Sequence, residues 1–129
     1  MHNPPVILLV DDDAQIHDLY RTVFQKEGWT VVEAWNGEEG LKVAMKEKPD
    51  FILMDVMMPI MDGAKALLEI KKNPEYAAIK DIPLLILTSL DDKPVDARVA
   101  KEIGAVDFIN KTIDFKELVK KVKAALQAK

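Results

Sequence analysis

The chain has 129 residues, 49% of them hydrophobic, a formal net charge of −4 and no cysteine. That length fits one domain, residues 1–129 with an ordered core over about 5–127, and the hydrophobic share suits a packed core rather than disorder. The acidic balance argues against direct nucleic-acid binding, which needs a basic face, and the lack of cysteine excludes disulfides, thiolate catalysis and cysteine-held metals.

The longest apolar runs, such as Val6–Val10 and residues 84–87, fall far short of the roughly 20 residues a membrane helix needs. The amino terminus lacks the basic and apolar regions of a signal peptide. A cytoplasmic location away from membranes is expected.

In chain order, Val6–Val10 reads as a strand buried on both faces, ending at Asp11, Asp12 and Asp13. Ile16, Leu19, Tyr20, Val23 and Phe24 then recur with helical spacing, with Asp12 or Asp13 as cap and Gly28 as stop. Residues 29–34 form a second strand. Asn36 and Glu39 make a capping box for a second helix containing Leu41, Ala44 and Met45. The third strand, 51–54, runs straight into Asp55, and the turn that follows is marked by Pro59, Asp62 and Gly63. A third helix spans 64–72, and residues 75–83 form a longer connection to a fourth strand, 84–87, ending at Thr88. Pro94 opens a fourth helix that closes at Gly104, and a fifth strand, 106–109, ends at Asn110 and Lys111. Asp114, with Glu117, caps a fifth helix whose apolar stripe is Phe115, Leu118, Val119, Val122, Ala125 and Leu126.

Strands alternating with amphipathic helices call for a parallel sheet covered on both faces. The expected fold is a flavodoxin-like, doubly wound (βα)5 domain with five strands in the order 2-1-3-4-5 and five helices, its ligand site at the carboxyl ends of strands 1 and 3. Parallel strands share one carboxyl edge, so Asp11, Asp12, Asp55, Thr88 and Lys111 meet at one rim. Carboxylates crowded there must protonate or hold a cation. All-oxygen donors favour Mg2+, with Mn2+ or Ca2+ as substitutes, over zinc. With Lys111 as a positive charge and Thr88 as a hydroxyl donor, the set suits phosphoryl transfer onto Asp55 as nucleophile.

Over essentially its whole length the chain resembles a response regulator receiver domain of two-component signalling. The matching residues are Val10 with Asp11, Asp12 and Asp13; Leu53, Met54 and Asp55 with Met58, Pro59, Asp62 and Gly63; Leu87, Thr88 and Ser89; and Phe108, Ile109, Asn110 and Lys111. The resemblance implies that Asp55 takes a phosphoryl group from a phosphohistidine on a sensor histidine kinase or phosphotransfer protein. It implies Mg2+ held by Asp12, Asp55 and the backbone carbonyl of Met57, with Asp11 acting through a bound water. It makes Thr88 and Lys111 partners of the phosphoryl group, and Thr88 and Phe108 the switch. The face of helix 4, strand 5 and helix 5 would then be read by a partner or output domain, with a homodimer through helices 4 and 5 left open. Such a protein is a signalling phosphoacceptor rather than an enzyme, catalysing only its own phosphorylation and dephosphorylation.

Thr112 stands where the family usually has proline after the lysine. A non-proline cis bond costs about 3–4 kcal/mol, so either a trans bond with a shifted loop or a strained cis bond is expected. Met57 and Leu90 offer no hydrogen bond to an attacking water, which points to slow self-hydrolysis. Asp13 reads as a cap, Asp62 as a turn residue, Asp91 and Asp92 as a solvated loop, and His2 and His17 as surface residues. Trp29 and Trp35 read as buried or edge packing, and Met54, Met57, Met58 and Met61 as packing.

Three other functions compete. A flavin-binding module would cradle phosphate in its first loop, which here is triply acidic. An aspartyl phosphatase would place a second acid at Met57 and add a cap domain, for which there is no room. A receiver fold kept only for binding would lack phosphoacceptor chemistry. Whether the chain stands alone or belongs to a longer regulator or hybrid kinase stays open.

Overall fold

The computed structural model describes residues 2–55, 69, 70, 72–88, 107–110 and 114–127, with Thr88 and 107–110 described by their main chain. Five strands are present: β1 (Val6–Val10), β2 (Thr30–Ala34), β3 (Phe51–Asp55), β4 (Leu84–Thr88) and β5 (Asp107–Asn110). Among the described residues, the α-helices with both ends given are α1 (Ala14–Lys26), α2 (Gly37–Glu47) and α3 (Phe115–Gln127), with a 3-10 helix at Pro74–Ile79. The strands pair in parallel in the order β2-β1-β3-β4-β5. This is an α/β parallel-sheet fold, carried by the four strands β1 to β4 and continued along the backbone by β5.

The sheet is apolar on both faces because each is covered. Alternation along the strands sorts the side chains. Leu8, Val10, Ile52, Met54, Leu84 and Ile86 pack with Leu41 and Ala44 of α2 and with Ile79. Ile7, Leu9, Phe51, Leu53, Leu85 and Leu87 pack with Tyr20 and Phe24 of α1 and with Leu118, Val122 and Leu126 of α3. All these residues are 8% exposed or less, so the sheet holds the middle of two cores.

The helix ends follow from local chemistry. Asp13, not Asp12, caps α1, its carboxylate accepting the Gln15 N–H at 2.8 Å. Beyond its end, Gly28 takes φ +83°, a left-handed conformation open to glycine at little cost. Asn36 caps α2 by accepting the Glu39 N–H at 2.8 Å. Asp114 accepts the Lys116 N–H at 2.7 Å at the start of α3.

Several sequence expectations need correction. Residues 75–83 are not a plain connection, since Pro74, with Asn73 capping it, starts a 3-10 helix. Trp29 precedes β2 rather than opening it, while β3 and β4 each extend one residue further, to Asp55 and Thr88. The fifth strand, described over Asp107–Asn110, reaches one residue further than expected at its end. In α1, Tyr20 and Phe24 are buried and Ile16 and Val23 pack against the same core, as expected, while Leu19 is 49% exposed and His17 is buried instead. Phe115, expected in the stripe of α3, is 41% exposed but meets Tyr20 edge-on, with ring centroids 6.1 Å apart. Of the expected third helix, positions 69, 70 and 72 are described and are helical. The expected fourth helix, the turn with Asp62, and the loop of Asp91 and Asp92 lie outside the described residues.

Candidate functional site

The strand register builds the site. Val10 of β1 pairs with Met54 of β3, so Asp11 and Asp55 are the next residues along adjacent strands. Val10 and Met54 face α2, and alternation turns the two aspartates towards the face covered by α1 and α3. Asp55 is still inside β3, in register with Leu87 of β4. Asp12 follows Asp11 in the short link to α1.

The three carboxylates converge: one oxygen from each of Asp11, Asp12 and Asp55 lies within 4.8 Å of the others. Asp11 and Asp55 are 0% and 1% exposed, and Asp12 is exposed at the mouth. Asp11 is held by three groups. Its N–H donates to the Ala34 carbonyl at 3.2 Å, its Oδ1 accepts the Asp13 N–H at 2.9 Å, and its carbonyl accepts from His17 Nε2 at 2.8 Å. Burying like charges this close is unfavourable unless a positive charge joins them. A donor set made only of carboxylate oxygens, open at Asp12, fits a hard divalent cation.

The other expected site residues fall differently. Thr88 ends β4 with its main chain in register with Asn110, and Phe108 in β5 pairs with Ile86. Met57, Leu90, Lys111 and Thr112 lie outside the described residues.

His17 overturns its expected surface placement, being 1% exposed. Its Nδ1 pairs with the Glu33 carboxylate, which also accepts from Arg21 Nη1 at 2.9 Å. Arg21 in turn binds Asp18. The Arg21 guanidinium is held more firmly in its charged form, first by its hydrogen bond to Glu33 and then by that to Asp18. Trp35 lies flat on the His17 ring, with centroids 3.8 Å apart and planes 20° apart. The helical spacing of residues 17, 20 and 24 was the available signal, because i, i+3 and i+7 share one face. Ile16 and Val23 pack partly buried against the same core as Tyr20 and Phe24, and Leu19 is the member of the apolar stripe that faces out. His2 is exposed, as expected, its N–H donating to Asp50 and its ring near the carbonyls of Glu47 and Lys48.

The family described as response regulator receiver domain matches residues 7–123. The chain is 36% identical over 121 residues to the "Probable transcriptional regulator ycf27" of Guillardia theta, covering 94% of this chain and 45% of that protein. It therefore spans less than half of that relative's length. Among solved structures it resembles the receiver domain of a signal transduction histidine kinase from Syntrophus aciditrophicus, with a TM-score of 0.83, 31% identity, and 96% and 91% of the two chains covered. It also resembles the chemotaxis protein CheY4 of Vibrio cholerae, with a TM-score of 0.83, 27% identity, and 94% and 98% covered. Among the described residues, no helix is long and apolar enough to cross a membrane.

Proposed function

We propose that this chain, which belongs to the response regulator receiver domain family of two-component signalling, accepts a phosphoryl group on the carboxylate of Asp55. The donor is a phosphohistidine on a sensor histidine kinase or phosphotransfer protein. The observation that carries this reading is the convergence of Asp55 with Asp11 and Asp12 at the carboxyl ends of β1 and β3, the crevice that open α/β sheets use for ligands.

A carboxylate oxygen of Asp55 attacks phosphorus, the bond from phosphorus to the imidazole nitrogen breaks, and Asp55 becomes an acyl phosphate. Asp11, Asp12 and Asp55, with the Met57 backbone carbonyl, would hold Mg2+, or Mn2+ or Ca2+ in its place. When bound, the cation supplies positive charge that offsets the phosphoryl oxygens. Thr88 donates its hydroxyl to the arriving phosphoryl group, and Lys111 pairs with its charge. Burial of Asp55 keeps bulk water from the nucleophile.

The complete domain on this reading has (βα)5 architecture, five strands and five helices. Thr88 and Phe108 switch the face of helix 4, strand 5 and helix 5, which in this scheme contains β5 and α3. A partner protein, an output domain or a second copy reads that face. Driving such a switch from 1:99 to 99:1 takes about 5.5 kcal/mol of differential interaction. Members of the family are signalling domains rather than ordinary enzymes, and this one is assigned to the cytoplasm, off the membrane and without direct nucleic-acid contact.

Incubation with acetyl phosphate and MgCl2 tests the assignment. Mass spectrometry is expected to record a gain of one phosphoryl group that disappears in Asp55→Asn. An unmodified wild-type chain would favour a receiver fold kept only for binding.

A further inference from the structure

The buried histidine beside the acidic cluster takes no part in the phosphoryl chemistry above, yet it is held on three sides. Its Nε2 lies 2.8 Å from the carbonyl oxygen of Asp11. A carbonyl oxygen only accepts, so Nε2 carries the hydrogen and donates it. Nδ1 faces the Glu33 carboxylate, which Arg21 anchors with contacts of 2.9 and 3.1 Å. Trp35 covers the face of the ring. At 1% exposure, the imidazole cannot turn without breaking one of these contacts.

The carbonyl it holds is the consequential one. A peptide group is planar, so the Asp11 carbonyl, the Asp12 N–H and both Cα atoms move together. Fixing that oxygen fixes the rotation of the plane, and with it the direction in which the Asp12 side chain leaves the backbone. Asp11 is already tied to β2 through its N–H and to Asp13 through Oδ1. Asp12 is exposed and sits at the mouth, where a small rotation moves its carboxylate most.

We propose that His17 is a positioning residue for the cation site. Through the Asp11 carbonyl it sets the Asp12 carboxylate against those of Asp11 and Asp55, while Glu33, Arg21 and Trp35 hold the ring. It acts through the main chain, as outer residues at metal sites do when they orient the ligands. This role rests on the cation site proposed above.

Two substitutions separate positioning from packing. Glutamine carries its amide N–H near the place of Nε2, so His17→Gln keeps a donor to Asp11. Asparagine reaches only to the place of Nδ1, so His17→Asn keeps the side towards Glu33 and loses Asp11. Both remove the ring from under Trp35, and both are expected to lower stability without metal. Calorimetric titration of MgCl2 into the full chain is expected to show a Kd about tenfold weaker in His17→Asn, but within about threefold of wild type in His17→Gln. Equal weakening in the two, or weakening that follows each variant's metal-free Tm, would overturn the proposal. If neither folds, Glu33→Gln keeps the ring and removes its anchoring charge; Mg2+ affinity equal to wild type there would also overturn it. A wild-type chain that binds no Mg2+ removes the cation reading itself, a failure distinct from a wild type that binds and variants that do not differ.

Discussion

Asp50 shows how one buried carboxylate can organise a chain end. It is 2% exposed, and its oxygens accept the Val6 N–H at 2.9 Å and the His2 N–H at 3.1 and 3.2 Å. Its own N–H donates to the Val6 carbonyl at 2.8 Å, so Val6 and Asp50 are tied twice where β1 and β3 begin. Asp50→Ala removes the acceptor and leaves the Val6 donor unmet. A loss of about 1–3 kcal/mol is expected, as for an orphaned partly buried donor, seen as a lower Tm with an unchanged far-UV spectrum. His17 is the matching case near the other end of β1. Neither burial is written in the local sequence, because a polar residue shows its burial only through partners far along the chain. Glu33 lies sixteen residues from His17, and Val6 lies forty-four from Asp50.

At the scale of elements, helix ends were legible because caps depend on a few neighbouring residues. Asp13, Asn36 and Asp114 cap their helices, and Gly28 follows the end of α1. Two chain reversals there give predictions of opposite sign. Gly28 has φ +83° with nothing within 4 Å of an added Cβ, so Gly28→Ala meets backbone strain without a clash and should cost about 1 kcal/mol. Lys48 ends α2 with φ 45°, a left-handed conformation that costs a side chain. Lys48→Gly should relieve it and gain up to about 1 kcal/mol, less the extra freedom of the unfolded chain. Urea unfolding checks both as opposite shifts of the midpoint at constant slope. The face of α1 was less legible. Its apolar stripe holds for Ile16, Tyr20, Val23 and Phe24, but only contacts with Glu33, Trp35 and the Asp11 carbonyl placed His17 inside, while Leu19 stays exposed.

At the scale of the whole molecule, folding brings three carboxylates within 4.8 Å, two of them buried. The unfolded chain does not hold them together, so a cation that they bind stabilises the fold by mass action. At roughly 100 times its Kd that contribution is about 2.7 kcal/mol. MgCl2 should therefore raise Tm, while NaCl at matched ionic strength should not. In Asp12→Asn the Mg2+-dependent rise should shrink, and the metal-free Tm should hold or increase as one repelling charge is removed. A Tm insensitive to Mg2+ in the wild type would contradict a cation site at this rim.

Among the described residues, the sequence alone determined the order of the strands and of α1, α2 and α3, because hydrophobic period and capping chemistry are written in neighbouring residues. It also placed Asp11, Asp12 and Asp55 at one rim, since parallel strands end on a common edge, Asp11 and Asp55 directly follow apolar runs, and Asp12 is next after Asp11. Only the tertiary structure decided that Asp55 remains within β3, that Asp11 and Asp55 are almost wholly enclosed while Asp12 stands at the mouth, and that His17 lies under Trp35 bonded to the Asp11 carbonyl. Those outcomes depend on burial and on partners distant in the chain. The energy of a buried polar group is set by what meets it in space rather than by its neighbours in sequence.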